Sequence, residues 1–332
     1  MKIELDNWYK CKIDKKILKE LSKKSDLQGL KHVVIYFTSL FLTGYMAYYT
    51  WGTWWSVFWF WIYGSMYASA DSLWHETGHR TAFKSRILNE IFYQIGSFMN
   101  WKESTRWRWS HFHHHSYTLS TADPYDFEIQ VTKPTDLINL FLQVFPFGGL
   151  LTVFSKYGLQ FGPLETVKHA LGFVTPVMKD CIPEKERSKC RWISRIYVTI
   201  WLSIIILTFY LNTWMLLLYL LLPFWYGNTI YTLIGMMQHA GLLNNSKDHR
   251  LSTRTVILNP VFSFFYWHME YHTEHHMFPT IPSYNLKKLH AIVRDQMPPA
   301  RKGMWGAYKE ILPALLKQAK DPNYKINVAV PN

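Results

Sequence analysis

Histidine is concentrated in three short runs of this chain. His75-Glu76-Thr77-Gly78-His79 places two imidazoles at i and i+4. The run from Trp107 to Thr118 carries His111, His114 and His115 at i, i+3 and i+4. Between Trp267 and Pro279 the same triple recurs as His272, His275 and His276. Side chains three and four apart share a helix face, so each run presents an edge of imidazoles suited to metal. Gln238-His239-Ala240-Gly241 offers one further ring. Two plus three plus one plus three gives nine candidate ligands, too many for one ion, and two ions is the natural reading. Nitrogen ligands suit iron, copper or zinc and not magnesium or calcium.

Each run also has a plainer reading. His75-Glu-Thr-Gly-His79 fits the His-Glu-x-x-His zinc-protease pattern, with Glu76 as general base and a single zinc. That reading leaves the other candidates without a role. The stretch His111 to His115 alone resembles a non-specific metal-binding tract. His32, His169, His249 and His290 stand singly and read as structural or exposed. His239 closes an apolar run, where it either caps a helix or serves as a functional imidazole at membrane depth. His113 falls off the face of its neighbours and is excluded as a ligand. His268 lies one turn before His272, and spacing leaves it open. A membrane metal transporter needs polar or ionisable groups inside the bilayer, and the apolar stretches here lack charge.

The elements that must position these residues are readable from charge. No charged side chain occurs from Val33 to Ala70, and no Asp, Glu, Lys or Arg from Ile196 to Ser246. A crossing takes about 20 apolar residues, so each stretch is long enough for a hairpin, broken at Thr50-Trp51-Gly52-Thr53 and at Leu211-Asn212-Thr213. The expected fold is an all-α integral membrane protein with transmembrane helices over 33–50, 54–74, 196–211 and 213–236. A cytoplasmic helical cap would carry the histidines. Residues 137–155 are also uncharged, but Pro146, Gly148 and Gly149 interrupt them. A crossing there would also put the first two clusters opposite the others, so they read as interfacial or re-entrant. Residues 156–195 read as a polar cytoplasmic loop. Asp71, one turn before His75, either fixes that imidazole's tautomer or marks the helix emerging into water.

Residues 1–31 lack the apolar core of a signal peptide and read as a basic cytoplasmic segment, 32–290 as the membrane domain and 291–332 as a cytoplasmic tail. Lys10 to Lys24 with Ile13, Ile17, Leu18 and Leu21 suggest a basic amphipathic helix, solvated or lying on an anionic membrane. The formal charge of +13 fits anionic lipid or an acidic partner better than nucleic acid, because the basic residues flank apolar runs. Aromatic residues make up 17% of the chain, an excess expected at membrane interfaces. Cys11, Cys181 and Cys190 form no Cys-x-x-Cys pair and provide no iron–sulfur site or disulfide framework.

These motifs resemble the membrane-bound fatty acid desaturase and hydroxylase superfamily. Its three histidine boxes are matched by His75-x-x-x-His79, His111-x-x-His114-His115 and His272-x-x-His275-His276. Trp107-Arg108, Thr118, Asp123-Pro124 and Met277-Phe278-Pro279-x-Ile281-Pro282 match the flanks. The resemblance covers roughly residues 33–290. It implies four transmembrane helices under a cytoplasmic cap, and two iron ions held by His75, His79, His111, His114, His115, His239, His272, His275 and His276. His268 falls outside the pattern. The implied reaction is an O2-dependent attack on an unactivated C–H bond, ending in an alkene or an alcohol. Glu270 and Glu274 beside the third box are expected to face solvent, or else to hydrogen-bond the ligands.

The chain carries no haem-domain His-Pro-Gly-Gly signature and no ferredoxin or rubredoxin site, so a separate ferredoxin, rubredoxin or cytochrome with its reductase is the expected electron donor. Family precedent makes the substrate a fatty acyl chain or another aliphatic lipid. Lys102, Arg106, Arg108, Arg294, Arg301 and Lys302 read either as binders of an anionic head group on a smaller substrate or as solvated charges.

Overall fold

The computed structural model describes residues 8–128, 141–152 and 162–331. The fold is helical, and among these residues the sole sheet is a two-stranded parallel pair, Val256–Ile257 with Arg301–Lys302. Two long helices, Asp26–Tyr49 and Trp54–Ala68, form the first hairpin over the expected turn. The second continues almost without interruption into Ala70–Gly78, which carries the first histidine pair. Arg86–Met99 then packs back across it through Gly96, where an added Cβ would lie 2.9 Å from the Trp74 backbone nitrogen.

The second hairpin differs from expectation. Its first helix begins at Glu184, not Ile196, and runs unbroken to Tyr210. The polar residues 184–195 are therefore its first three turns and not loop, and residues upstream form Pro163–Ala170 and Pro176–Cys181. Among the described residues this is the one helix long and apolar enough to cross a bilayer by itself. The returning limb is broken into a π-turn at Leu217–Leu221, Pro223–Gly227 and Thr229–His239. Pro223 has no amide hydrogen to continue the ladder.

A broken helix in an apolar setting strands carbonyl groups, and each stranded carbonyl is costly. Here aromatic side chains take them up. The Tyr226, Tyr63 and Tyr67 hydroxyls donate to Leu218, Tyr219 and Leu220 oxygens at 2.7, 2.9 and 2.8 Å, and Trp101 Nε1 donates to Leu221 oxygen at 2.9 Å. Part of the aromatic excess thus repairs this limb. Gly64 meets Gly227 backbone to backbone; a Cβ on Gly227 would sit 1.8 Å from the Gly64 carbonyl carbon.

Of residues 137–155, only 141–152 are described. They end in the short helix Gly148–Thr152 and hang on the broken limb through Phe147 N–H to Tyr226 oxygen at 3.1 Å and Thr229 Oγ1 to Phe145 oxygen at 2.8 Å. Towards the C-terminus, Gly303–Lys320 continues through Pro313 and contributes Ala307, Ile311 and Leu315 to the main core. The N-terminal basic helix is short, Lys15–Leu21, capped by Asp14.

Candidate metal centre

The second-box helix, Ser104–Ser116, is anchored by buried polar contacts. Buried Glu103 caps it, accepting from Thr105 and Arg106 amides at 2.8 and 2.7 Å and from the Cys190 thiol at 3.1 Å. Arg106 donates to Glu165 at 2.6 Å, and Arg108 grips Glu90 with both arms. Lys102 pairs with Asp71 of the first-box helix. The third box rides on the short helix His272–Met277, entered through Trp267 and His268 with left-handed backbone (φ 52° and 54°). Such backbone persists only where packing enforces it, and Trp267 is fully buried.

All nine candidate histidines meet in two groups. His75, His79, His111, His115 and His275 form one, and His114, His239, His272 and His276 the other, each residue offering one ring nitrogen within 4.8 Å of the others in its group. Neither histidine triple serves one group alone. His111 and His115 go to the first group while His114 goes to the second, and His275 is separated from His272 and His276 in the same way. The sequence presents each triple as one edge; the structure sets each edge between two centres.

Hydrogen bonding fixes which nitrogen faces inward. His111 Nδ1 donates to both oxygens of Glu128 at 2.9 Å, and His114 Nδ1 donates to Asp126 at 2.8 Å. His239 Nδ1 donates to the Ser252 carbonyl at 2.9 Å. The Thr118 hydroxyl gives its hydrogen to the His114 carbonyl, so at 3.2 Å it accepts from His276 Nδ1. In all four rings the neutral imidazole then presents a bare Nε2 lone pair. These lone pairs are crowded. Facing Nε2 pairs are His79–His111 at 2.8 Å, His115–His111 at 3.2 Å, His239–His272 at 2.8 Å, His276–His272 at 3.1 Å and His75–His275 at 2.7 Å. His272 has a single hydrogen to give, and three bare nitrogens share its group. Ring nitrogens bound at about 2.1 Å and at right angles to one another lie about 3 Å apart. The donor set fits one cation in each group.

For seven of the nine rings the electrostatics agree. Burial, aided by neighbouring rings, keeps His75, His79, His115, His272, His275 and His276 well below the ordinary histidine pKa. Burial and then His114 bring His239 down to about 3. Neutral imidazole is the ligating form. For His114 burial pulls the same way, but Asp126 outweighs it and the net shift is upward. Burial pushes Glu128 up, yet the facing His111, together with His114 and Lys102, outweighs it and takes the carboxyl to about 2. Asp126 and Glu128 escape a reading for ligands because they belong to neither imidazole group. Their signal in the sequence is two carboxylates at i and i+2, just after Asp123-Pro124.

Several expectations fail here. Asp71 is buried, neither emerging into water nor bonded to His75; it accepts from Lys102 and the Tyr231 hydroxyl. Glu270 and Glu274 are buried and not solvent-facing, and their hydrogen bonds go elsewhere. Glu274 takes His290 Nδ1 at 2.5 Å and Thr255 Oγ1 at 2.6 Å, and Glu270 takes Ser263 Oγ. Lys102, Arg106, Arg108 and Arg301 are paired with carboxylates and are not solvated charges, whereas Arg294 is exposed. Glu76 of the protease reading accepts from the Ser283 amide at 3.0 Å and is completely buried.

The remaining histidines lie outside both groups. His113 Nε2 bonds the Tyr125 carbonyl at 3.0 Å, and His268 Nδ1 pairs with Ser263 Oγ at 2.8 Å. His32 stacks between Phe264 and Trp267, His249 stacks on Trp8, and His169 meets Thr175.

A cavity of about 330 Å³ opens beside the two groups, reached by His75, His111, His114, His239 and His272. A search of curated proteins finds no match to the chain. The family model described as fatty acid desaturase matches residues 50–308, which is 259 (308 − 50 + 1) of 332 residues and includes all nine histidines. The chain therefore belongs to the fatty acid desaturase family of oxidoreductases.

Proposed function

We propose that the chain is an O2-dependent di-iron desaturase that introduces a C=C bond into an aliphatic substrate with electrons from a separate carrier. The observation carrying this reading is the pair of buried imidazole groups whose bare nitrogens face one another at metal-ligand spacing. Iron held by the nine histidines would supply the activation of O2 and the removal of hydrogen from an unactivated C–H bond.

The rest is the protein's work. Glu128, Asp126, Thr118 and the Ser252 carbonyl hold four imidazoles in the ligating tautomer, which raises their basicity and fixes the rings. The cavity holds the target carbon beside the histidines, and Trp74, Trp107 and Met269 in its wall displace water from the C–H bond. A hydroxylase on the same frame is the second reading, because the ligand set serves either outcome. A zinc protease is disfavoured, since Glu76 is bonded to the Ser283 amide.

In this reading the two hairpins cross the membrane four times, both termini and the metal centre being cytoplasmic. Support comes from the exposed apolar flanks, Phe41, Leu42, Leu202 and Ile206 among them. Exposed Tyr48, Tyr49, Trp54 and Trp55 cluster at one hairpin tip, and Phe209, Tyr210 and Trp214 at the other, as expected for rings at headgroup depth.

The electron carrier is acidic in this account, drawn by the net charge of +13. Turnover with a reconstituted acidic carrier will fall about tenfold as salt is raised from 50 to 500 mM; indifference to salt would refute electrostatic docking. His113→Ala will keep most activity, because that ring bonds a carbonyl away from both groups. A loss as deep as that of a ligand variant would contradict the grouping. The reading itself is tested by mass spectrometry of products from an aerobic host supplying reductase and carrier. A product lacking two hydrogens means desaturation, and one gaining oxygen means hydroxylation. No product from protein with two reduced irons and added aliphatic substrates counts against both.

A further inference from the structure

The wall of the cavity does not suit a hydrocarbon tail alone. Asp71 and Lys102 face it as an ion pair, with side chains only 7% and 15% exposed, and the Tyr231 hydroxyl donates to the same carboxylate. The Lys102 ammonium lies 4.0 Å from the Trp74 ring centre and 4.7 Å from that of Trp107. Farther along the wall, the Asn228 carboxamide oxygen is buried without a partner. Gln143 and Gln238 add two more amides.

An alkyl chain filling this space would exclude water from the partly exposed charged pair and leave Asn228 unsatisfied, and both changes oppose binding. A polar group would be stabilised at the same positions. Scale matters too. Asp71 precedes His75 by four residues, one helical turn or about 6 Å, so a head group at the Asp71–Lys102 pair sits a short chain away from the metal groups.

We infer that this cavity takes a compact, water-soluble aliphatic substrate whose polar head group is read by Asp71, Lys102 and Asn228, and not a long-chain acyl lipid. The head group must offer an N–H or O–H to Asn228 and a charged or strongly dipolar contact to the ion pair. Asp71, Lys102 and Asn228 are positioning residues, since they hold the substrate and touch no reacting atom. The inference rests on the oxidase reading of the same site and narrows its substrate class.

The test compares wild type with His275→Ala in one aerobic host supplying carrier and reductase. Water-soluble and lipid extracts are analysed separately by mass spectrometry, and iron per chain is measured in parallel. A His275-dependent product in the aqueous extract is expected. The Asp71→Asn/Lys102→Met variant and the Asn228→Leu variant should each lower it about tenfold or more with iron per chain unchanged, which a merely structural role would not give. A His275-dependent product in the lipid extract overturns the inference and leaves the di-iron reading intact. Protein without bound iron sinks the di-iron reading instead.

If neither extract contains a product, a diazirine-tagged stearate decides. Photolabelling of the wild-type segment Tyr231–Gln238, competed by stearate, overturns the inference. Labelling confined to the Asp71→Asn/Lys102→Met variant upholds it.

Discussion

Replacing His275 with alanine will abolish product formation and lower bound metal from two ions per chain towards one. His275 is completely buried, and its Nε2 faces that of His75 at 2.7 Å. Its ring also lies against His79 and His115, with centres 4.8 and 4.9 Å away. Removing it opens the wall of the five-histidine group and leaves four rings still pointing at one another. The four-histidine group keeps every member, so metal loss should be partial while turnover falls to background, because the proposed reaction needs both centres. Metal analysis and product formation measured on one preparation check this. Full turnover, or complete loss of both ions, would contradict the division into groups.

The second large effect is expected at a residue that binds no metal. Asp126→Ala will weaken metal retention by the four-histidine group about 10- to 100-fold. The carboxylate is 1% exposed and orients His114 while accepting the Leu119 amide at 2.9 Å and the Glu128 amide at 3.0 Å. Without it His114 loses the bond that fixes its tautomer, the buried Leu119 amide loses its acceptor at about 1–3 kcal/mol, and the part-buried Glu128 amide loses its own at less. The loop bearing Glu128, which orients His111, is then loosened as well, so both groups suffer. Competition against a graded series of chelators gives the measurement. Asp126→Asn, which retains a side-chain oxygen, should retain metal more strongly than Asp126→Ala; equal retention would mean that the carboxylate does not act through His114.

The histidine spacing points to eight of the nine grouped rings, because i, i+3 and i+4 positions share a face whatever surrounds the helix, whereas His239 is marked only by closing an apolar run. It does not show which ring goes to which centre, because that is set by how four helices cross. His111 and His114 are one turn apart and belong to different groups. Helical hairpins are legible from absent charge, and Thr50–Thr53 does form the first turn. The start of the third long helix at Glu184 is not, since Glu184 to Arg195 continue the helix as a polar extension beyond the apolar part. Nor is the broken limb from Leu217 to His239, whose apolar composition hides the tyrosine and tryptophan bonds that repair it.

The buried acids leave the faintest mark in the sequence. A charged residue near a box, taken alone, looks like solvent-facing surface. Asp71, Glu103, Glu270 and Glu274 pair with Lys102, Cys190, Ser263 and His290, 7 to 87 residues away. Such pairing is a property of tertiary packing and leaves no periodic trace.

The most direct test counts metal. The full-length protein, purified from iron-supplied cells, should contain two irons per chain, and His275→Ala and His272→Ala should each remove about one. A single zinc per chain, or no metal in folded protein, would contradict the di-iron account.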